Sequence, residues 1–125
     1  MSDTKPMVVL VEDDDGMRGA LQRLLKVAGF QTRAFESAEA LLAADGAKHA
    51  SCLVLDVQLP GVSGTALYES LAGERPPVVF ITAYNNATVH VAVAAFAGAT
   101  LLIKPFLGTD LLAAIARVSG ASGSP

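Results

Sequence analysis

The sequence contains no tryptophan, a single cysteine and few charged residues. Of its 125 residues, 52% are hydrophobic and 17% are charged, and the formal net charge is −3. Because Cys52 is the only cysteine, the chain cannot form an internal disulfide bond. No apolar run approaches the roughly 18 residues that a membrane-spanning helix needs, so we predict no membrane segment.

The balance of charge and the amino terminus exclude further classes. Nine Lys and Arg residues against twelve Asp and Glu residues argue against direct binding of DNA or RNA by this segment. The first residues, MSDTKPMVVL, lack the basic region and long apolar core of a secretory signal. The hydrophobic content is too high and the net charge too low for intrinsic disorder. We therefore expect one compact cytoplasmic domain.

Short apolar runs alternate with segments of helical periodicity. The predicted strands cover residues 7–11, 31–35, 52–55, 78–81 and 101–103. A helix is predicted after each strand; the fourth covers 88–97 and the fifth 109–118, with Thr109 as the N-cap of the fifth. Five consecutive βα units predict an α/β fold, in which helices cover both faces of a parallel sheet.

Polar residues stand where four of these strands end. Glu12 and Asp13 follow the first strand, Asp56 the third, Thr82 the fourth and Lys104 the fifth. Because the carboxyl ends of parallel strands meet at one edge, where ligands bind in open α/β sheets, we expect these side chains to converge. Two like charges about 5 Å apart cost roughly 3 kcal/mol at an effective dielectric constant of 20. A single lysine offsets only one of them, so the cluster predicts a bound Mg²⁺ or Mn²⁺ ion.

The same residue types suit phosphoryl transfer. A carboxylate such as Asp56 can attack phosphorus and form an aspartyl phosphate. A metal ion, a hydroxyl group and an ammonium group would then neutralise the phosphoryl oxygens in the transition state. Thr82 and Lys104 supply the last two groups.

Four segments at these strand ends resemble the signatures of response-regulator receiver domains. They are LVEDDDGMR, LVLDVQLPGVSG, VVFITAY and LLIKPF, and the resemblance extends from about Val8 to Val118. It implies a flavodoxin-like (βα)5 doubly wound sheet with strand order 2-1-3-4-5. It also implies that the domain accepts a phosphoryl group from a sensor histidine kinase or a phosphotransfer protein, in a Mg²⁺-dependent reaction. Residues 1–118 would form the receiver domain and residues 119–125 a flexible tail or linker.

The resemblance assigns a metal-binding role to four residues. Asp13 matches the direct metal ligand, and its neighbour Glu12 matches an acidic residue that acts mostly through water. Asp56 matches the phosphoacceptor, which also binds the metal, and Gln58 would contribute its backbone carbonyl.

Other matching positions belong to the phosphoryl group and the switch. Thr82 matches the switch hydroxyl, and Lys104 matches the lysine that pairs with the phosphate. Pro105 matches a proline that follows this lysine through a cis peptide bond, a conformation confined almost entirely to proline. Ala83 matches a small residue that leaves space for the phosphodonor.

The chain departs from the family pattern on its predicted output face, formed by helix 4, strand 5 and helix 5. Receiver domains usually place an aromatic switch residue where this chain has Leu101, and the segment from Gly98 to Lys104 looks one residue shorter than usual. Helix 4 is unusually apolar, and its valines and Phe96 fit either a partner surface or the core. The expected readout is therefore atypical, and a homodimer through this face is the expected form of output.

Other functions remain open on the sequence. A receiver-like binding module would hold its partner independently of phosphorylation, which Leu101 and the short loop favour. A metal-dependent phosphatase is disfavoured because Gln58 stands where such enzymes often carry a second aspartate. Dinucleotide binding is disfavoured because the turn after the first strand is acidic and has no glycine-rich loop. His49 and His90 have no metal-ligating neighbours at suitable spacing.

Overall fold

The structure, a computed structural model, describes residues 5–120 of the chain. Strands and helices alternate along it in five βα units. The strands are β1 (Met7–Val11), β2 (Gln31–Phe35), β3 (Cys52–Asp56), β4 (Val78–Thr82) and β5 (Thr100–Ile103). The helices are α1 (Asp15–Val27), α2 (Ala38–Ala43), α3 (Gly64–Ser70), α4 (Ala87–Ala94) and α5 (Gly108–Ser119).

The five strands form one parallel sheet in the order β2-β1-β3-β4-β5. This confirms the predicted α/β fold and its strand order. Strands β3 and β4 are buried along their whole length, which explains their uninterrupted apolar runs, because helices cover both of their faces. The direction of winding reverses between β1 and β3, so the crevice at the carboxyl edge lies beside these two strands.

The core consists of two clusters, one on each face of the sheet, and neighbouring strand residues alternate between them. Helices α1 and α5 pack on one face, and α2, α3 and α4 on the other. The first cluster contains Val8, Leu10, Val54, Val79 and Ile81 from the strands. The second contains Val9, Val11, Leu53, Leu55 and Phe80. This period of two is what a pleated strand imposes.

Three aromatic rings join α3, β4 and the chain after α4. Tyr68 and Phe96 make an edge-to-face contact with their centroids 5.1 Å apart, and Phe80 lies within 5.9 Å of both rings. The guanidinium group of Arg75 lies over Tyr68 and Phe96, at 4.9 and 5.4 Å from their centroids. Phe96 therefore packs against the core, which resolves its two predicted roles in favour of the core.

The predicted end of α4 was wrong by three residues, and the predicted bounds of α5 were wrong by one residue at each end. Helix α4 ends at Ala94 rather than at residue 97, because the amide of Phe96 bonds to the carbonyl of Val93 and the chain turns more tightly there. Helix α5 begins at Gly108, and its N-cap is Leu107 rather than Thr109. The Asp110 carboxylate accepts a hydrogen bond from the Leu107 amide at 3.1 Å, so the cap depends on a residue inside the helix.

Other element ends follow the expected local chemistry. The carboxylate of Asp14 accepts a hydrogen bond from Met17 N at 2.7 Å and caps α1, and Ser37 caps α2 in the same way. Ser119, assigned to the tail from the sequence, is the last residue of α5, and Gly120 is its C-cap. The remaining tail, 121–125, lies outside the described residues. Within the described part, no helix combines the length and apolar character that crossing a membrane requires.

We predict that the Cys52 thiol is inert in the folded protein. Burial in β3 raises the pKa of this thiol to about 12 and outweighs the opposing effect of a hydrogen bond with the Val79 backbone. Only about one thiol in ten thousand is then ionised at pH 8, and the thiolate is the reactive form. Mass spectrometry after iodoacetamide treatment should show no labelling in buffer and full labelling in urea. Rapid labelling in buffer would contradict the burial of β3.

Candidate functional site

The carboxyl ends of β1, β3 and β4 carry the three buried polar side chains of the described residues. Glu12 follows β1, Asp56 ends β3 and Thr82 ends β4, and they are 0%, 3% and 0% exposed. Burying polar groups costs free energy unless they are paired, so their collection at one edge marks this edge as the candidate site.

Lys104, which follows β5, pairs with both buried carboxylates. Its Nζ lies 2.7 Å from Oε1 of Glu12 and 2.8 Å from Oδ2 of Asp56. Burial alone would lower the pKa of the Lys104 ammonium group. The hydrogen bonds and charges of Asp56 and Glu12 outweigh burial and raise this pKa above its usual range. The lysine is therefore protonated at neutral pH and crosslinks the ends of β1, β3 and β5.

The third carboxylate of the site belongs to Asp13, which is exposed. One carboxylate oxygen from each of Glu12, Asp13 and Asp56 lies within 4.8 Å of the other two. Within residues 5–120, no hydrogen bond or ion pair involves the Asp13 side chain. Three carboxylates against one ammonium group leave two negative charges uncompensated, so the cluster fits a divalent cation with a preference for oxygen ligands.

Thr82 and Gln58 meet beside this cluster. Oγ1 of Thr82 donates a hydrogen bond to Oε1 of Gln58 at 2.5 Å and accepts one from the amide of Tyr84 at 3.0 Å. The backbone amide of Gln58 donates to Oδ1 of Asp56 at 2.9 Å. The sequence indicated only a backbone role for Gln58, since no pattern predicts the direction of a loop side chain. The side-chain contact was therefore missed.

Gly64 is a second position that the sequence analysis did not connect with the site. A Cβ atom on Gly64 would lie 2.1 Å from the carbonyl oxygen of Asp56, far inside van der Waals contact. The amide of Gly64 donates to the carbonyl of Val57 at 3.0 Å. Only glycine therefore allows α3 to begin against the end of β3. In the sequence, the one indication of this close approach is a glycine directly after Ser63, the N-cap of α3.

The remaining predicted positions lie around this edge. Leu101 is partly buried, pairs with Phe80 across β4 and β5, and packs against the core under α4. Pro105 follows Lys104 through a cis peptide bond, as expected. Ala83 is exposed beside Thr82, which leaves this approach to the site open.

The apolar surface of α4 divides between core and solvent. Val89 and Val93 are buried, whereas Val91 is 72% exposed. His90 bonds to Asn85 at 2.7 Å. In the part of the chain that the structure describes, the site edge holds the only cluster suited to a metal ion, so neither His90 nor His49 belongs to one.

The sequence also matches a known protein family. The family model of the response regulator receiver domain matches residues 8–116. The chain belongs to the receiver domain family. The receiver domain is 33% identical to the response regulator protein TmoT of Ectopseudomonas mendocina over 92% of the chain and 53% of TmoT. It is 38% identical to nodulation protein W of Bradyrhizobium diazoefficiens over 90% of the chain and 50% of that protein. The chain thus spans about half the length of these curated relatives.

Solved structures agree with this assignment. A response regulator receiver protein from Burkholderia phymatum superposes with a TM-score of 0.81 at 35% identity, covering 97% of the chain and all of that protein. The response regulator StyR gives a TM-score of 0.75 at 38% identity over 94% of the chain and 60% of StyR. At these identities, both the fold and the family are shared.

We predict opposite effects for alanine at two glycines. Gly64→Ala should destabilise the receiver domain by about 1–3 kcal/mol, because the methyl group forces α3 away from Asp56. Gly19→Ala is the matched control: it lies inside α1 with its nearest neighbour at 3.4 Å, and should stabilise by about 0.5–1 kcal/mol. Urea denaturation measures both. Equal stability of Gly64→Ala and the wild type would contradict the close approach.

Lys104→Met should be strongly destabilising in metal-free buffer. It leaves two buried carboxylates without a counter-charge, which typically costs about 3–5 kcal/mol. Adding Asp56→Asn should recover part of the loss, since it removes one of the two unpaired charges. Lys48→Met, at an exposed loop position, is the control and should stay within about 0.5 kcal/mol of the wild type. Urea unfolding in the presence of a chelator measures the free energy of unfolding of each variant. Equal values for Lys104→Met and the wild type would contradict the prediction.

Proposed function

We propose that this receiver domain accepts a phosphoryl group on Asp56 from the phosphohistidine of a sensor histidine kinase or a phosphotransfer protein. The observation that supports this most is a buried carboxylate, Asp56, held between a lysine and two further carboxylates beside a threonine hydroxyl. In the reaction, an Asp56 oxygen bonds to phosphorus. The bond between phosphorus and the donor's imidazole nitrogen breaks, and its electron pair stays on that nitrogen.

The residues around Asp56 would act by electrostatic stabilisation. The Lys104 ammonium group, 2.8 Å from Asp56, would pair with a phosphoryl oxygen, and the Thr82 hydroxyl would donate to another. Such fixed donors lower the free energy of the charge that develops in the transition state. The exposed position of Ala83 would give the donor histidine access to the site.

Mg²⁺, with Mn²⁺ as a substitute, is the cofactor that we propose for this reaction. Asp13 and Asp56 would hold it directly, Glu12 mostly through water, and Gln58 through its backbone carbonyl. The exposed Asp13 carboxylate, which makes no hydrogen bond or ion pair within residues 5–120, is the one most available for direct coordination. When bound, the ion neutralises charge on the phosphoryl oxygens.

We further propose that phosphorylation changes the face formed by α4, β5 and α5 and thereby controls an output partner or domain. One relative is the transcriptional regulatory protein TdiR of Thauera aromatica, of which the chain covers 48% at 34% identity. Exposed apolar side chains, Val91 on α4 and Leu107 at the start of α5, suit a protein contact on this face, including a homodimer. The added phosphate would act by shifting a two-state equilibrium in the cytoplasm, without direct nucleic-acid contact by this segment.

The phosphoacceptor is tested by intact mass. Incubation with acetyl phosphate or phosphoramidate and Mg²⁺ should add one phosphoryl group to the wild type and none to Asp56→Asn, because the asparagine lacks the carboxylate that attacks phosphorus. Glu12, the other buried partner of Lys104, remains in this variant and should not be phosphorylated. Asp45→Asn, at an exposed loop position, is the matched control and should be phosphorylated normally. No mass gain from small donors or from phosphorylated histidine kinases would contradict the proposal.

Metal binding is tested separately through stability. Mg²⁺ should raise the melting temperature of the wild type, since a ligand at 100 times its Kd stabilises by about 2.7 kcal/mol. Asp13→Asn should lose most of this shift, because it removes the unpaired carboxylate. Circular dichroism is the appropriate measurement, as the chain has no tryptophan. A shift of the same size in Asp13→Asn would place the ion elsewhere.

A second candidate is a receiver-like module that binds its partner regardless of phosphorylation. The packing of Leu101 under α4 favours it, because an aliphatic side chain held in the core supplies no rotating ring at the output face. Equal affinity for the output partner before and after phosphorylation would support this candidate over the switch.

A further inference from the structure

The side chain of Gln58 makes a contact that none of its proposed roles requires. Its Oε1 accepts the hydroxyl proton of Thr82, while its backbone amide donates to Asp56 at 2.9 Å. One residue therefore contacts both the proposed phosphoacceptor and the proposed switch hydroxyl. The amide of Val57 also bonds to the carbonyl of Ile81 at 2.8 Å, so the chain on either side of this contact is fixed.

The hydroxyl of Thr82 has one proton and can donate it to one acceptor at a time. In the structure that acceptor is Gln58; the carbonyl of Tyr84, at 3.4 Å, is too distant for a good hydrogen bond. The amide of Tyr84 meanwhile donates to Oγ1 of Thr82. Donation to a phosphoryl oxygen on Asp56 therefore requires that the bond to Gln58 breaks first.

Breaking this hydrogen bond costs more free energy for the Thr82 hydroxyl than for the Gln58 side chain. Thr82 is 0% exposed, so leaving its hydroxyl without an acceptor raises the free energy of the folded domain. Gln58 is only partly buried, so its released amide group can hydrogen-bond to water. Gln58 thus stabilises the unphosphorylated orientation of Thr82 and contributes nothing comparable once the hydroxyl has moved.

We propose that the Gln58 side chain is a positioning residue that holds the Thr82 hydroxyl away from the phosphoryl site and so sets how readily the domain switches. This rests on the proposed function, since it presumes a phosphoryl group on Asp56. It assigns Gln58 a side-chain role separate from its backbone carbonyl. The side chain acts on the equilibrium between the two orientations of Thr82, and the bond-making steps proceed without it.

The test uses beryllofluoride, a non-transferable phosphoryl analogue, titrated into the protein with Mg²⁺ and followed by NMR. Gln58→Met keeps the side-chain length but removes the strong acceptor, and should bind beryllofluoride roughly threefold to tenfold more tightly, the net effect of one neutral hydrogen bond. Gln58→Ala should show the same direction. Without ligand, both variants should change the Thr82 χ1 couplings and the Tyr84 amide shift.

A double-mutant cycle separates this role from simple space filling. Thr82→Val preserves the shape of the side chain and removes the hydroxyl, so Gln58→Met should have no effect on beryllofluoride affinity in that background. A purely structural role predicts something different: Gln58→Ala would alter affinity, Gln58→Met would not, and the Thr82 couplings of Gln58→Met would match the wild type.

The two proposals fail in distinguishable ways. If the wild type does not bind beryllofluoride, or binds it as well as Asp56→Asn does, the proposed function fails and the role of Gln58 fails with it. If the wild type binds at Asp56 but Gln58→Met and Gln58→Ala have wild-type affinity and Thr82 couplings, only the role of Gln58 is overturned.

Discussion

The site depends on one ammonium group shared between two buried carboxylates. Lys104 reaches Glu12 and Asp56 from the end of β5, and its own backbone amide donates to the carbonyl of Thr82 at 2.7 Å. Four strand ends are therefore joined through a single residue. The negative charge that this lysine leaves uncompensated makes this edge suited to a bound cation.

Much of this arrangement could be predicted from sequence because parallel strands impose it. Once Met7–Val11 and Cys52–Asp56 are recognised as buried strands, the residues that follow them must lie at the same edge. This is why the side chains that follow or end the strands converge: Glu12, Asp13, Asp56, Thr82 and Lys104. The strand order came from the resemblance to receiver domains, and the structure confirms it.

The features that escaped prediction depend on side-chain direction or on contacts from within a helix. The hydrogen bond between Gln58 and Thr82 depends on how a loop residue turns, which periodicity does not encode. The start of α5 depends on Asp110 reaching back to Leu107, so the hydroxyl rule that favoured Thr109 failed there. The end of α4 was misplaced because its run of Val and Ala residues contains no stop signal before Gly98.

Because Gly64 approaches Asp56 closely, the two sides of Asp56 are packed differently. On one side, the start of α3 lies directly against the carbonyl of Asp56, where a Cβ atom on Gly64 would not fit. On the other side, residues 83–86 between β4 and α4 are exposed. The surroundings of Asp56 are therefore closed by backbone on the α3 side and reach solvent-exposed residues on the α4 side. If a group is added to Asp56 as proposed, we expect any displacement to occur on the α4 side.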